Sequence, residues 1–85
     1  MQNRTGIYEA PTKLKKMRLK RCLSQRELSD KSGVNINTIR ALERKSLNID
    51  NSGIKTLYRL CKALNCRLSD IVESKKVYNM LKEIM

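Results

Sequence analysis

Two polar side chains three residues apart, Asn37 and Arg40, have the types and the spacing for recognition chemistry. Ile39 and Leu42 mark the apolar side of the same segment, and a helix turns by about 100° per residue. The opposite side then carries Ile36, Asn37, Arg40, Ala41 and Arg44. An asparagine can pair with adenine through two atoms, an arginine can reach guanine or a phosphate, and an isoleucine can touch a thymine methyl group. The segment 36–44 therefore predicts a helix that reads base pairs in a DNA major groove.

We predict four base-reading residues, namely Ile36, Asn37, Arg40 and Ala41, the last because its small side chain lets the helix approach closely. The same residues also fit a structural role, in which Asn37 and Arg40 only solvate the outer face and Ile36 packs on a loop. An exposed isoleucine at the start of a short helix is otherwise unexplained, which favours recognition. Both interpretations stay open when this segment is taken alone.

The elements around this segment predict a helix-turn-helix over residues 25–44. Ser24 and Glu27 have the spacing of a capping box, which marks the start of a helix at Gln25. Gly33 stands where that helix must end and the chain must reverse, a place that favours a residue tolerant of positive φ. Asn35 can then cap the second helix. A short turn containing glycine is typical of a helix-turn-helix.

Polar residues flank the predicted reading face where a DNA backbone would pass. The helix that starts at Gln25 would point its free amides and positive dipole toward the same side. The predicted phosphate contacts are Gln25, Asn35, Thr38, Arg44, Lys45 and Ser46. The alternative is that these residues are ordinary solvent-facing groups.

The composition favours a polyanionic partner. The chain has 85 residues, enough for one small domain, and a formal charge of +11 from 19 Lys and Arg against 8 Asp and Glu. Nucleic acid is the first candidate and an anionic membrane surface the second, while a third reading assigns the charge to solubility alone. Three tyrosines are the only aromatic residues, which disfavours stacking on single strands. No apolar run is long enough to span a bilayer, and the first residues do not resemble a signal peptide.

The inventory of reactive side chains argues against an enzyme. There is no histidine, and the three glycines form no phosphate-binding loop. Three cysteines are an odd number, so we expect no disulfide framework, a cytoplasmic location and no four-ligand zinc site. We predict that Cys22, Cys61 and Cys66 act as small, buried apolar side chains. No metal and no cofactor are expected.

Further elements follow from periodicity and capping residues. Residues 1–12 are predicted to be a flexible arm, and a first helix is predicted from Thr12 to about Arg21. A polar loop covers residues 45–53, with Leu47 and Ile49 as its apolar anchors.

The predicted fourth helix carries a broad apolar stripe from Ile54 to Leu64. Asn51 or Ser52 is its expected cap, and Asn65 is expected to be left-handed at its end. Ser69 is expected to cap a short fifth helix that carries Ile71 and Val72.

Residues 74–85 show a separate amphipathic pattern, which predicts a C-terminal helix. Its apolar positions are Val77, Met80, Leu81 and Ile84. This stripe could form a homodimer, bind another protein such as a toxin, or pack back on its own domain. All three alternatives stay open.

Five stretches of the chain, taken together, are similar to a known family. They are LKKMR at 14–18, LSQRELS at 23–29, SGVN at 32–35, TIRALER at 38–44 and LYRLCKALNCRLSDI at 57–71. This pattern resembles the lambda-repressor and Cro-like helix-turn-helix domain over 14–73. The resemblance implies an all-α, five-helix bundle as a DNA-binding domain at 13–73. The amphipathic helix predicted at 74–85 lies outside the pattern of the family.

The resemblance also implies roles for single residues. Ile36, Asn37 and Ala41 align with base-reading positions, and Gln25 aligns with a glutamine that contacts phosphate and braces the reading helix. Arg18 and Glu43 match an ion pair that joins the first and third helices. Two departures are Cys22 and Lys45, which stand where the family usually has glycine. The 45–53 loop is also about three residues longer than usual and lacks the family's proline.

The function expected from these observations is a sequence-specific regulator of transcription, a repressor, that binds double-stranded DNA. As a homodimer it would bind half-sites about 34 Å apart. The alternative is an antitoxin that binds a toxin and represses its own promoter. A third hypothesis is a basic adaptor that does not read sequence.

Overall fold

Residues 11–73 are described by the computed structural model, and over this range the chain is all-helical. Four α-helices follow one another: α1 at Lys13–Lys20, α2 at Gln25–Ser32, α3 at Ile36–Glu43 and α4 at Ile54–Leu64. Single 3-10 turns occur at Ile49–Asn51 and Leu68–Asp70. The predicted arm, apart from Pro11 and Thr12, lies outside the described residues. So does the predicted C-terminal helix with Val77, Met80, Leu81 and Ile84.

The first three α-helices begin where their capping residues predict. The hydroxyl of Thr12 accepts a hydrogen bond from the amide of Lys15 at 3.1 Å. Both bonds of the Ser24–Glu27 capping box are present, at 3.0 and 2.8 Å. The side-chain oxygen of Asn35 accepts from the amide of Asn37 at 2.8 Å. These bonds satisfy amides that a helix leaves unpaired in its first turn.

The start of α4 differs from the prediction. Neither Asn51 nor Ser52 caps it; Gly53 precedes the helix and no side chain caps it. The reason is a competing local turn, in which the side chain of Asn48 accepts from the amide of Asp50 at 2.9 Å. The amide of Ser52 then donates to the carbonyl of Ile49 at 3.0 Å. The backbone amides of Asn51 and Ser52 are thus held in the turn, so neither residue stands at the position that caps the helix.

A left-handed residue closes each of the four α-helices in the described range. These residues are Cys22, Gly33, Lys45 and Asn65, with φ of 59°, 76°, 66° and 51°. At the end of α1, the amide of Leu23 donates to the carbonyl of Arg18 and that of Cys22 to the carbonyl of Leu19. The same pair of bonds closes α3 and α4, which is the Schellman arrangement. Only one of the four positions is occupied by glycine, the residue that adopts this conformation without strain.

Replacing Cys22 by glycine is expected to stabilise the domain by about 0.5–1 kcal/mol, because glycine removes the strain of positive φ at a modest entropic cost. Urea denaturation of the two proteins measures this difference. Gly33→Ala is the control: a Cβ would meet no atom within 4 Å there, so backbone strain alone should destabilise the domain. If both changes shifted stability in the same direction, the explanation through φ would be wrong.

The core is formed by aliphatic side chains from all four α-helices and from both 3-10 turns. Its fully buried large members are Leu14, Leu28, Ile39, Leu57, Leu60, Leu64 and Ile71. Helix α2 lies against both α3 and α4, and α1 packs against α3. The core therefore holds α3 against α1 and α2 and leaves its outer face open.

Two predictions about the edges of this core are wrong. Leu47 was expected to anchor the loop, yet it is 50% exposed, and Ile49 alone is buried there. The expected fifth helix is only the Leu68–Asp70 turn, with Ser69 inside it and Arg67 before it. The carboxylate of Asp70 accepts from the amide of Arg67 at 2.8 Å and holds this turn. Ile71 and Val72 are buried, as their apolar character indicates.

The cysteines do not share one environment. Cys22 is exposed, so its predicted burial is wrong, because the position closes α1 on the surface. Cys61 and Cys66 are half-buried and their side chains are hydrogen-bonded to each other. Burial raises the pKa of the Cys61 thiol to about 12, and burial also raises the pKa of Cys66.

Iodoacetamide at about pH 8 is expected to modify Cys22 and to spare Cys61. The thiolate is the reactive form, and a raised pKa keeps Cys61 protonated until the pH approaches 12. Mass spectrometry of digested protein measures the extent of labelling at each position. A Cys22→Ser variant should take up almost no label when folded and should label readily in urea. Equal labelling of Cys22 and Cys61 in the folded protein would contradict the expectation.

Candidate nucleic-acid interface

Helix α3 has one buried and one open side. Ile39 and Leu42 are buried, whereas Asn37, Arg40 and Arg44 are exposed at helical spacings of three and four residues. Ala41 lies in the same stripe and is half-buried. Ile36 is also half-buried, so it is less exposed than was expected of it. The stripe therefore presents one amide and two guanidinium groups beside a small residue.

The side chain of Asn37 is available for an external partner. Its backbone amide donates to Asn35, but within residues 11–73 no hydrogen bond occupies its side-chain amide. The guanidinium of Arg40 has no partner in the same range. Arg44 donates only a long bond, 3.3 Å, to the hydroxyl of Ser46. Unpaired polar groups on one rigid helix face can bind a ligand without first breaking protein contacts.

Three helices meet at the carboxylate of Glu43, which braces α3 from behind. Arg18 on α1 binds it through two parallel bonds, Nε to Oε2 at 2.7 Å and Nη2 to Oε1 at 2.9 Å. Gln25, at the start of α2, donates to Oε1 at 3.1 Å. The third arginine nitrogen, Nη1, donates to the carbonyl of Leu23 at 2.8 Å. This arrangement holds α1, α2 and α3 in one fixed relation.

The residues predicted to contact phosphate are not equally available. Ser46 donates its hydroxyl to the carbonyl of Ala41, and its amide bonds to the same carbonyl. The side-chain oxygen of Asn35 caps α3. Lys45 is the left-handed residue that ends α3. Thr38 is half-buried beside these groups, while Arg44 is exposed. Arg44 and Gln25 line one cavity at the surface, whereas Lys45 lines a different one.

That cavity includes a residue for which no site role was predicted. Its volume is about 240 Å³, and it is lined by Lys15, Gln25, Arg40, Glu43 and Arg44. Lys15 precedes Arg18 by three residues, so both lie on the side of α1 that faces α3. The predicted pairing of Arg18 with Glu43, combined with this spacing, is the signal that could have placed Lys15 at the site.

Comparison with known families agrees with this geometry. The profile of the helix-turn-helix family matches residues 14–71, which is more than half of the chain. The protein belongs to the lambda-repressor and Cro-like helix-turn-helix family. No curated protein and no solved structure matches the chain.

Membership in the helix-turn-helix family indicates the general function of the protein. The family is a DNA-binding, transcription-regulating one. In this member α2 and α3 form the two-helix motif, with Gly33 in the turn between them. No helix within residues 11–73 is long and apolar enough to cross a membrane. In the same range no group of three or more His, Cys, Asp or Glu side chains could hold a metal ion.

Proposed function

We propose that this helix-turn-helix protein is a sequence-specific transcriptional repressor that reads the DNA major groove with α3. The exposed stripe of α3 is the observation that supports it most directly. Asn37 has the donor and acceptor needed for adenine, and Arg40 has the donors needed for guanine or phosphate. Ile36 and Ala41 supply apolar contact at the same face.

The position of the stripe supports the same proposal. Base recognition requires side chains that are held in place, because a loosely placed donor discriminates poorly between bases. Helix α3 is packed on its inner side by Ile39 and Leu42 and is bound at its last turn through Glu43. A merely solvated surface would not need such bracing. A rigid helix with unpaired polar groups therefore supports base recognition.

In-vitro selection of duplexes from a random pool tests the proposal. Selection should enrich a short motif that contains an adenine contacted by Asn37, and the spacing between repeated motifs reports the number of bound copies. A homodimer would give half-sites about 34 Å apart. If wild-type protein bound random and selected duplexes equally tightly, with only a salt dependence, the basic-adaptor function would replace this one.

The antitoxin function stays an alternative to the repressor function. Its predicted partner face, Val77, Met80, Leu81 and Ile84, lies outside the described residues. Co-expression with the product of a neighbouring gene, followed by size-exclusion chromatography, separates the two functions. Both functions include DNA binding, so the complex decides between them. A stable complex with the second protein would favour the antitoxin, whereas separate elution of the two proteins would favour the repressor.

A further inference from the structure

The end of α4 brings two cysteines together. Asn65 is left-handed there, and the amide of Cys66 donates to the carbonyl of Cys61 at 3.0 Å. In this Schellman ending, the two residues joined by the outer bond often place apolar side chains in contact. Here both positions carry a thiol, and the two thiols are hydrogen-bonded to each other. The ending of the helix has therefore assembled a pair of reactive groups.

The placement of this pair meets the geometric needs of a disulfide. Such a bond requires Cα atoms about 4.4–6.8 Å apart and side chains that point toward each other. The backbone bond keeps Cys61 and Cys66 beside one another, and the bond between their thiols requires that the side chains converge. Both are half-buried and pack against the core, which restricts their motion. A new S–S bond would therefore need little rearrangement.

We propose that Cys61 and Cys66 form a reversible intramolecular disulfide by exchange with a small-molecule disulfide such as oxidised glutathione. This is a modification of a domain that folds with both thiols reduced, not part of a disulfide framework. The bond ties the last turn of α4 to the residue that leads into the Leu68–Asp70 turn, where Leu68 is buried. Oxidation therefore stabilises the folded domain.

The exchange proceeds in two balanced steps. In the first, the thiolate of Cys66 attacks one sulfur of oxidised glutathione, and the other glutathione leaves as a thiolate. In the second, the thiolate of Cys61 attacks the Sγ of Cys66 and releases the bound glutathione. The two cysteines thus lose two protons and two electrons, and two glutathione molecules take them up.

Cys66 is the thiol that reacts first. Burial raises the pKa of both thiols, but the hydrogen bond from Cys61 and the charge of Arg21 act in the opposite direction on Cys66. The guanidinium of Arg21 is held there by the carbonyls of Leu64 and Asn65, at 2.7 and 3.0 Å. Because burial keeps both thiols protonated near neutral pH, the exchange should take hours rather than minutes.

A Cys22→Ser protein, which retains only this pair, tests the proposal. It is equilibrated with mixtures of reduced and oxidised glutathione, once folded and once in urea, and free thiols are then blocked with N-ethylmaleimide. Trypsin cleaves after Lys62 and separates the two cysteines. Mass spectrometry therefore detects the disulfide as a link between peptides 60–62 and 63–67.

The folded protein should form the disulfide at least about tenfold more favourably than the unfolded chain, because folding already holds the thiols together. A disulfide that favours the folded state must stabilise that state by the same factor. Tenfold is about 1.4 kcal/mol, so oxidation should raise the melting temperature by about 6–11 °C. Equal exchange constants with and without urea, or an unchanged melting temperature, would overturn the proposal.

Two further variants in the Cys22→Ser background, Cys61→Ser and Cys66→Ser, separate the two steps. Each keeps one thiol and should stop at a mixed disulfide that adds the mass of one glutathione. The mixed disulfide should form several-fold faster at Cys66 than at Cys61. Circular dichroism checks that both variants are folded. Equal rates at the two positions would refute the assignment of Cys66 as the thiol that reacts first.

Discussion

Replacing Glu43 by alanine is expected to lower the free energy of unfolding by about 3–5 kcal/mol, because the change leaves the guanidinium of Arg18 buried without its counter-charge. The side chains of Arg18 and Glu43 are 9% and 4% exposed, and two parallel bonds join them. Burial of an unpaired charge costs far more than loss of a surface ion pair, which is worth under about 1 kcal/mol. Urea denaturation followed by circular dichroism measures the loss.

A double variant, Arg18→Met with Glu43→Leu, is the control for this prediction. It removes both charges and keeps apolar volume between α1 and α3, so its stability should lie much closer to that of the wild type. The carbonyl of Leu23 and the amide of Gln25 would lose partners, but both residues are partly exposed, so water can replace these two bonds. If Glu43→Ala cost less than about 1 kcal/mol, the pair would behave as an exposed one and its bracing role would be refuted.

Asn37→Ala is expected to weaken binding to the selected duplex by about 1–3 kcal/mol and to leave binding to a scrambled duplex nearly unchanged. The side chain is exposed and has no partner within residues 11–73, so its loss should not unfold the domain. Only the bidentate contact with an adenine would be removed. Parallel anisotropy titrations on the two duplexes measure the difference.

Arg44→Ala provides the contrast for Asn37→Ala, because Arg44 is exposed and is a predicted phosphate contact. The first variant should weaken both duplexes alike, and the second should weaken only the selected one. A repeat of the in-vitro selection with Asn37→Ala should show relaxed preference at one position of the motif. If the variant kept both the preferred sequence and its affinity, α3 would not be the reading helix.

Local chemistry predicted most of the helix boundaries. Thr12, Ser24 and Asn35 cap their helices through bonds within three residues, so their roles depend little on the rest of the fold. Periodicity likewise identified Leu28, Ile39 and Leu42 as core residues. These features agree between sequence and structure because short-range geometry determines them.

The features that sequence did not predict depend on competition or on tertiary contact. Asn48 forms its own turn and so removes Asn51 and Ser52 from the start of α4. Leu47 is apolar yet exposed, because Ile49, two residues later, is the residue of this loop that reaches the core. The place of Lys15 in the wall of the cavity beside Arg40 and Arg44 depends on the packing of α1 on α3, which no local pattern encodes.

The two ends of the described range lie side by side, held by a small network of bonds. The amide of Lys13 donates to the carboxylate of Glu73 at 2.8 Å, and the ammonium of Lys13 donates to the carbonyl of Ser69. The amide of Glu73 in turn donates to Asp50 at 2.9 Å. A short peptide linker could therefore join residue 73 to residue 13, and new ends could be opened near the exposed Leu47. Such a circular permutant would keep all four helices in place, so the order of the helices along the chain is separable from the shape that they build.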